Sequence, residues 1–257
     1  MGLFFFDLDG TLLNKQSQIS QGNLKLLKQL EEQGYLSVVV SGRSPIEIEE
    51  ITQETTINSY VSMNGQYVVL ENEVFANHQI DNFLIAELLG FAERLGHPVS
   101  CYTPTEYRIN FIDEATKKLY TLDNAPLPKI DPYFYKTVGV NMLYLFSENT
   151  AHDHILQERF NETLTFYRDS PFSLAIVNKN RSKKAGIKEL LENLKITDKA
   201  NTYAFGDGNN DISMFEVVNH SVAMGNADEN VKQAADLVTL NHEKEGIEFA
   251  LRKLQVL

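Results

Sequence analysis

Leu3-Phe4-Phe5-Phe6-Asp7-Leu8-Asp9-Gly10-Thr11 opens the chain with four apolar residues that run straight into two acids. Such an apolar run reads as a strand buried on both faces, the kind found in parallel sheets. In extended chain, residues i and i+2 point the same way about 7 Å apart, which predicts Asp7 and Asp9 on one face and Leu8 on the other. Two carboxylates at a buried strand's end cost free energy unless something binds them. Gly10 permits a sharp departure from the strand, and Thr11 brings a hydroxyl to the same point in space.

The residues that follow repeat the theme. Leu24, Leu26, Leu27 and Leu30 have helical spacing, with Gly34 as the stop. Leu36 to Val40 is a second buried strand and ends at Ser41-Gly42-Arg43; Ser44, Pro45 and Glu47 then start a helix as N-cap, first helical residue and capping-box partner. Strand, crossover helix, strand is the grammar of a parallel sheet. Tyr60 to Met63 reads as a third strand, Asn64-Gly65 as a turn, and Gln66 to Leu70 with Val74-Phe75 as a hairpin.

Near residue 80 the pattern changes. Between Gln79 and Val177 fall 15 of the chain's 26 Phe and Tyr, and helices alternate with pairs of short strands. The expected order is helix 81–95, strands 99–103 and 107–112, helix 114–122, strand 138–146, helix 149–160, and strands 164–168 and 172–177. Paired short strands between helices predict an α+β insert with an antiparallel sheet. The parallel grammar resumes after Asn178: Ile187, Leu190, Leu191 and Leu194 form an apolar helix face, with Ser182 as N-cap and Lys183 in the first turn. Thr202 to Phe205 is the next strand and runs into Gly206-Asp207-Gly208-Asn209-Asn210-Asp211; a helix from Ile212 and strands 221–224 and 236–239 complete the alternation. The expected organisation is an α/β, Rossmann-like parallel-sheet core at 1–79 and 179–257, with an inserted α+β cap domain at 80–178.

A formal charge of -12 argues against binding along a nucleic-acid backbone or an anionic membrane, and an anionic substrate would need a local positive element such as a metal ion. The single cysteine, Cys101, can form no internal disulfide and has no motif around it. No apolar run approaches the roughly 18 residues of a membrane span, and the N-terminal stretch, broken by Asp7, does not read as a secretion signal. A cytoplasmic protein is expected. Oligomeric state is left open.

Three polar clusters thus follow the C-terminal ends of expected parallel strands: Asp7/Asp9, Ser41/Gly42/Arg43 and Asp207/Asn210/Asp211. In open α/β sheets ligands bind at that edge. Rival motifs fail. An EF-hand from Asp207 would need Gly at Ile212 and Glu at Val218, no Walker-type glycine loop occurs, and Gly206-Asp207-Gly208 lacks the third glycine of a dinucleotide fingerprint. His152 and His154, one residue apart, lack the spacing of a metalloprotease pair.

With Lys183, these clusters resemble the signature of the haloacid dehalogenase-like phosphatase superfamily: Asp7-Leu8-Asp9-Gly10-Thr11, Ser41, Lys183 and Gly206 to Asp211, in that order. Ser41-Gly42-Arg43, Asn64-Gly65, Ser182-Lys183 and Val222 to Ala227 resemble its Cof-type branch, whose large cap (class IIB) is inserted between the second and third motifs. One departure is Lys184, where the family usually has Gly; the alignment after Ser182 favours Lys183 as the site lysine. The family's often acidic cap residue is here Ala175, so substrate choice does not transfer.

The resemblance implies a hydrolase of small phosphomonoesters that depends on Mg2+. Asp7 would be the nucleophile that becomes an aspartyl phosphate, and Asp9 the acid that protonates the leaving alcohol and then deprotonates water. The Asp7 side chain, the Asp9 backbone carbonyl and Asp207 would hold the metal. Ser41, the Gly42 amide and Lys183 would meet phosphoryl oxygens, Asn210 and Asp211 would orient Lys183 and the nucleophile, and Arg43, Arg108 and Arg168 would be candidate anchors for the leaving group. The insert would close as a lid. Sugar phosphates, pyridoxal phosphate and flavin mononucleotide all fit such a chemistry. A phosphomutase of the same superfamily or a non-catalytic sugar-phosphate sensor would carry the same motifs.

Overall fold

In the computed structural model, residues 2–122 and 125–257 are described. Strand β1 (Leu3–Phe6) is followed by helix α1 (Gln21–Glu32), β2 (Leu36–Val40), α2 (Pro45–Thr52), β3 (Tyr60–Ser62), β4 (Tyr67–Leu70) and β5 (Glu73–Asn77). Next come α3 (Asn82–Arg94), β6 (Val99–Tyr102), β7 (Tyr107–Ile109), α4 (Glu114–Leu122), β8 (Met142–Phe146), α5 (Thr150–Phe160), β9 (Leu164–Ser170) and β10 (Ser173–Asn178). The chain closes with α6 (Lys183–Asn193), β11 (Thr202–Gly206), α7 (Ile212–Phe215), β12 (His220–Ala223), α8 (Glu229–Ala234), β13 (Leu237–Val238) and α9 (Gly246–Lys253). Contacts divide it into two units, Met1–Ala76 with Ser182–Leu257, and Asn77–Arg181.

The first unit is an eight-stranded sheet in the order β13-β12-β11-β1-β2-β3-β4-β5. The strands from β13 to β3 run parallel, and β4 turns antiparallel to β3. β1 lies at the centre because all four of its side chains can be buried. Phe4 and Phe6 join one apolar cluster with Leu26, Leu27 and Leu30 of α1, and Leu3 and Phe5 join the other with Ile187, Leu190 and Leu191 of α6. Phe4 stacks on Tyr203 (centroids 4.5 Å) and Phe6 on Phe205 (5.2 Å) across the β1/β11 pair. Each such buried ring contributes about 1.5–3 kcal/mol. The register pairs Phe6 with both Phe205 and Val39, so β11, β1 and β2 end side by side at one edge.

The second unit is a five-stranded antiparallel sheet, β7-β6-β8-β10-β9. Ile85, Leu88 and Leu89 of α3 and Leu156 and Phe160 of α5 pack with Val99, Leu143, Leu145 and Ile176 of the strands. Leu119 and Tyr120 of α4 pack with Ile109 and Phe146. The unit takes in residues that sequence reading assigns to the core, because Asn141 Nδ2 donates to Asn77 Oδ1 (2.7 Å) and the His78 carbonyl (2.8 Å), and Arg181 meets His78 at 2.9 Å.

Several ends differ from expectation. The third strand stops at Ser62 because Met63 and Asn64 adopt left-handed φ of 49° and 52°. β7 stops at Ile109, where Asn110 Oδ1 accepts the Val99 and Phe111 amides. β8 begins only at Met142: the Asn141 side chain is turned onto Asn77 and His78, and Gly139 packs where a Cβ would lie 2.1 Å from Gln79. Helices α8 and α9 are not anticipated by the apolar pattern. Among the described residues no helix is long and apolar enough to cross a membrane.

Candidate active site

Asp7 leaves β1 still extended (φ -67°, ψ 162°), after which Leu8–Leu12 make a single tight turn. Inside it Asp9 keeps an extended ψ of 123° and Gly10 takes φ +74°. A Cβ on Gly10 would stand 2.1 Å from Asp207 Oδ2, so both backbone conformation and closeness require glycine there. The turn corrects the expectation that Asp7 and Asp9 point together. The strand ends at Phe6, period-two alternation no longer applies, and Asp9 is turned outward instead. There its carboxylate receives Arg43 Nε and Nη2, each at 2.8 Å, a bidentate pair on the exposed rim.

Asp7 and Asp207 follow the adjacent ends of β1 and β11, and Asp211 lies in the turn beyond Asp207. The three carboxylates, with ligand oxygens within 4.8 Å of one another, are the only such cluster among the described residues. Asp211 is fully buried and committed: Oδ2 accepts the Asp207 and Gly208 amides (2.9 and 2.8 Å), and Oδ1 accepts Lys183 Nζ at 2.6 Å. Lys183 Nζ also donates to Asp7 Oδ1 at 2.6 Å, with the lysine side chain 1% exposed.

Lys183 reaches this point from the first turn of α6, capped by Ser182 Oγ on the Ala185 amide. Gly65 and Gly186 let the helix approach the turn after β3: a Cβ on Gly65 would lie 2.2 Å from the Ser182 carbonyl, and one on Gly186 would lie 2.3 Å from Val61. Lys184 is directed to an exposed pair with Glu216, so of the two lysines it is Lys183 that joins the carboxylates.

Charge explains the site's character. Three carboxylates face one ammonium. Burial, and next the Asp211 charge, push the Asp7 carboxyl well above its usual range despite Lys183. The same two causes push Asp207 up to about 6, against the Thr11 hydroxyl bond and Lys183. Burial disfavours the Lys183 ammonium, but Asp211 and Asp7 outweigh it and hold the lysine charged. The site therefore carries more negative charge than its own lysine balances, and a hard cation fits a donor set made only of oxygens.

The remaining expected residues are arranged around this centre. Ser41 is buried, with its Oγ accepting the Arg43 amide (3.1 Å) and its carbonyl accepting the Asn64 amide (3.1 Å). Among the described residues no hydrogen bond links Ser41 to the carboxylates. A Cβ on Gly42 would lie 3.2 Å from the Asn64 side chain, and Asn210 Nδ2 stands 3.5 Å from Asn64 Oδ1, so the Asn64 side chain lies between those two residues. Arg108 and Arg168, considered as anchors, are both engaged: Arg108 pairs with Glu106, and Arg168 with buried Asp153 and the Ser147 carbonyl.

Asn226 carries a role that sequence reading left unassigned. Its Nδ2 donates to the Gly10 carbonyl (2.8 Å) and Asp207 Oδ2 (3.1 Å), while its Oδ1 accepts the His242 amide (3.0 Å). With the Thr11 hydroxyl on Asp207 Oδ1 (3.0 Å), this ties the first acidic turn to the last. Asn226 follows β12, the parallel neighbour of β11, and that position at the ligand-binding edge is the signal that could have singled it out.

The chain matches the haloacid dehalogenase-like hydrolase family over residues 4–251. It is 34% identical to "Putative phosphatase YkrA" of Bacillus subtilis (strain 168), over 99% of this chain and 98% of that protein. A solved protein from Geobacillus kaustophilus HTA426 superposes with a TM-score of 0.91 at 33% identity, covering 100% of this chain and 99% of the other. The subclass IIB sugar phosphatase BT4131 superposes with a TM-score of 0.87 at 25% identity over the full length of both. Three acids and a lysine converging at the ends of parallel strands, in a chain matched end to end by such proteins, make this a hydrolase of phosphate esters that belongs to the haloacid dehalogenase-like family.

Proposed function

We propose that the chain is a magnesium-dependent phosphatase of small phosphomonoesters, sugar phosphates foremost, acting through an aspartyl phosphate on Asp7. The observation that carries this reading is the Lys183 ammonium held 2.6 Å from both Asp7 and Asp211, beside an Asp207 carboxylate that accepts from Thr11 and Asn226 and, among the described residues, from no lysine. The sugar-phosphate preference rests on likeness to BT4131.

Unaided hydrolysis of a phosphate monoester leaves an enzyme on the order of 20 kcal/mol of barrier to remove, and one well-placed donor supplies about 3–4 kcal/mol. Several groups must therefore converge. A magnesium ion held by Asp7, Asp207 and the Asp9 carbonyl would supply the positive charge that lets a carboxylate approach a phosphate. Lys183 fixes the Asp7 carboxylate through Oδ1, which leaves Oδ2 to attack phosphorus. As that bond forms, the bond from phosphorus to the ester oxygen breaks, and the leaving oxygen takes a proton from Asp9. In the second half Asp9 takes a proton from water, the water oxygen bonds to phosphorus, and the bond to Asp7 breaks to release orthophosphate. Asp9 must exchange its Arg43 partner for the leaving oxygen, which frees the guanidinium to meet the substrate. Ser41, whose oxygen already accepts an amide, can turn its proton toward a phosphoryl oxygen together with the Gly42 amide and Asn210.

The test is a phosphate-release screen over sugar phosphates, pyridoxal phosphate, flavin mononucleotide and p-nitrophenyl phosphate, with and without Mg2+. It is paired with acid quenching and mass spectrometry of the peptide containing Asp7. Magnesium-dependent release and a phosphorylated Asp7 are expected. Release with label on another residue, or equal release in excess chelator, overturns the mechanism.

A further inference from the structure

We propose that Asn226 is a positioning residue that sets this chain's affinity for its divalent cation, by holding Asp207 against the Asp7–Gly10 turn through a neutral donor. The inference rests on the magnesium reading above and adds to it a residue that, in that scheme, touches neither metal nor phosphate. Asn226 Nδ2 donates to the Gly10 carbonyl at 2.8 Å and to Asp207 Oδ2 at 3.1 Å, and its Oδ1 accepts the His242 amide at 3.0 Å. These neighbours dictate which end of the side chain faces the acids, because a backbone N–H can only donate and a carbonyl or carboxylate oxygen accepts.

The need for such a residue follows from where the sheet stops. The register of β1 with β11 ends at Phe6 and Phe205, and the last backbone bond between the two segments is the Asp7 amide on the Phe205 carbonyl (3.0 Å). Beyond that point side chains do the joining. Lys183 links Asp7 to Asp211, while the Gly10 end of the turn is linked to Asp207 by the Thr11 hydroxyl on Oδ1 (3.0 Å) and the Asn226 amide on Oδ2. The two segments have little slack, since a Cβ on Gly10 would stand 2.1 Å from Asp207 Oδ2. The amide therefore fixes the plane of the Asp207 carboxylate and, in the same stroke, the peptide that follows the Asp9–Gly10 bond.

The chemistry of the donor matters as much as its place. A lysine at this position would neutralise Asp207 and compete with the cation, and an acid would offer no donor to either oxygen. A hydroxyl has a single proton, whereas a primary amide has two and can serve the carbonyl and the carboxylate together without changing the charge. Each Asp207 oxygen accepts one neutral bond and keeps a lone pair for a metal. Asn226 is itself held on both sides. The Met224 amide on the Gly206 carbonyl (2.9 Å) and the Ala227 amide on the Met224 carbonyl (3.0 Å) close a turn around it. Gly225 lets the chain run so near residues 240–242 that a Cβ there would lie 2.7 Å from the Asn241 amide nitrogen, which brings in the His242 amide. Outer partners fixed in this way typically change metal affinity by about 10–100-fold.

The test is calorimetric titration of the full, chelator-stripped chain with Mg2+ in the absence of substrate, followed by phosphate release from p-nitrophenyl phosphate as Mg2+ is raised. Asn226→Leu, close in size but without donors, and Asn226→Ala should each raise the Mg2+ dissociation constant by about tenfold or more. Turnover should be lost at low Mg2+ and return to within about threefold of the parent when Mg2+ saturates, a split that general loosening of the fold does not produce. Asn230→Ala, which removes an exposed α8 amide that meets Asn209, should leave the dissociation constant within about twofold. Circular dichroism identifies the folded variants, and either substitution at 226 suffices. A folded Asn226 variant that binds Mg2+ as the parent does overturns the proposal, as does a kcat deficit that saturating Mg2+ fails to restore, or an equal loss in Asn230→Ala. A parent chain that binds no Mg2+ overturns the magnesium reading itself, so the two failures are separate results.

Discussion

Two ion pairs built on buried carboxylates, one in each unit, have opposite charge balance. In the first unit Lys183 serves Asp7 and Asp211 with Asp207 beside them, so three carboxylates share one ammonium. In the second, buried Asp153 has Arg168 largely to itself, and the guanidinium's remaining donors are taken by the Ser147 and Ser170 carbonyls. This pair is balanced in charge, with the guanidinium's donors used up, and it ties strands to a helix. An unbalanced one keeps carboxyl groups away from their ordinary pKa and invites a cation or a phosphate's counter-charge. Excess charge, rather than burial alone, separates the reactive cluster from the structural one.

The largest effect that would break this contrast is chemical. Asp7→Asn should cut phosphate release by at least about 10⁴-fold while circular dichroism stays unchanged, and a variant keeping most turnover would remove the basis of the reading. Lys183→Met leaves Asp7 and Asp211 buried with no ammonium; in metal-free denaturant titrations it should cost about 3–5 kcal/mol. Arg168→Met should cost about 1–3 kcal/mol, less because the arginine is partly exposed, and should leave kcat unaltered in phosphate-release assays. Equal losses of activity in these two variants would erase the distinction.

Acidity sharpens it further. With Asp207 at about 6, magnesium must compete with a proton below that pH, so calorimetry should show affinity about tenfold weaker at pH 5 than at pH 7 or above. Without metal the sign reverses for stability. The folded state holds the Asp207 proton more tightly than the unfolded chain, so the residue's contribution is lost as pH rises from 3.8 to about 6. Asp207→Asn should flatten both trends. The smallest effect belongs to Lys184→Ala, which removes an exposed pair with Glu216 and should cost less than about 1 kcal/mol with no change in turnover.

Much of the first unit was readable from side-chain pattern. Leu36–Val40 and its capped successor appear where Val-rich sequence and Ser44-Pro45-Glu47 place them, because burial on both faces and capping are local demands. Asp9 was not readable, since its direction depends on a turn whose shape Gly10 and Asp207 set jointly. Nor was Asn226, whose amide matters only once β12 lies beside β11. In the second unit β7 ends early at Asn110 and β8 begins late at Asn141, where those side chains capture backbone or linker groups, a competition that apolar periodicity does not register.

By itself the sequence determined which residues are acidic, which runs are apolar, and therefore which strands lie inside a parallel sheet with polar clusters at their C-terminal ends. Tertiary structure decided which of those polar groups meet. Lys183 rather than Lys184 reaches the acids, Asp9 turns to Arg43, and His97 finds His152 rather than any neighbour in sequence. The physical reason is range. Burial and capping are settled within a few residues, whereas a charge or a lone pair is answered by whatever the folded chain brings within about 3 Å.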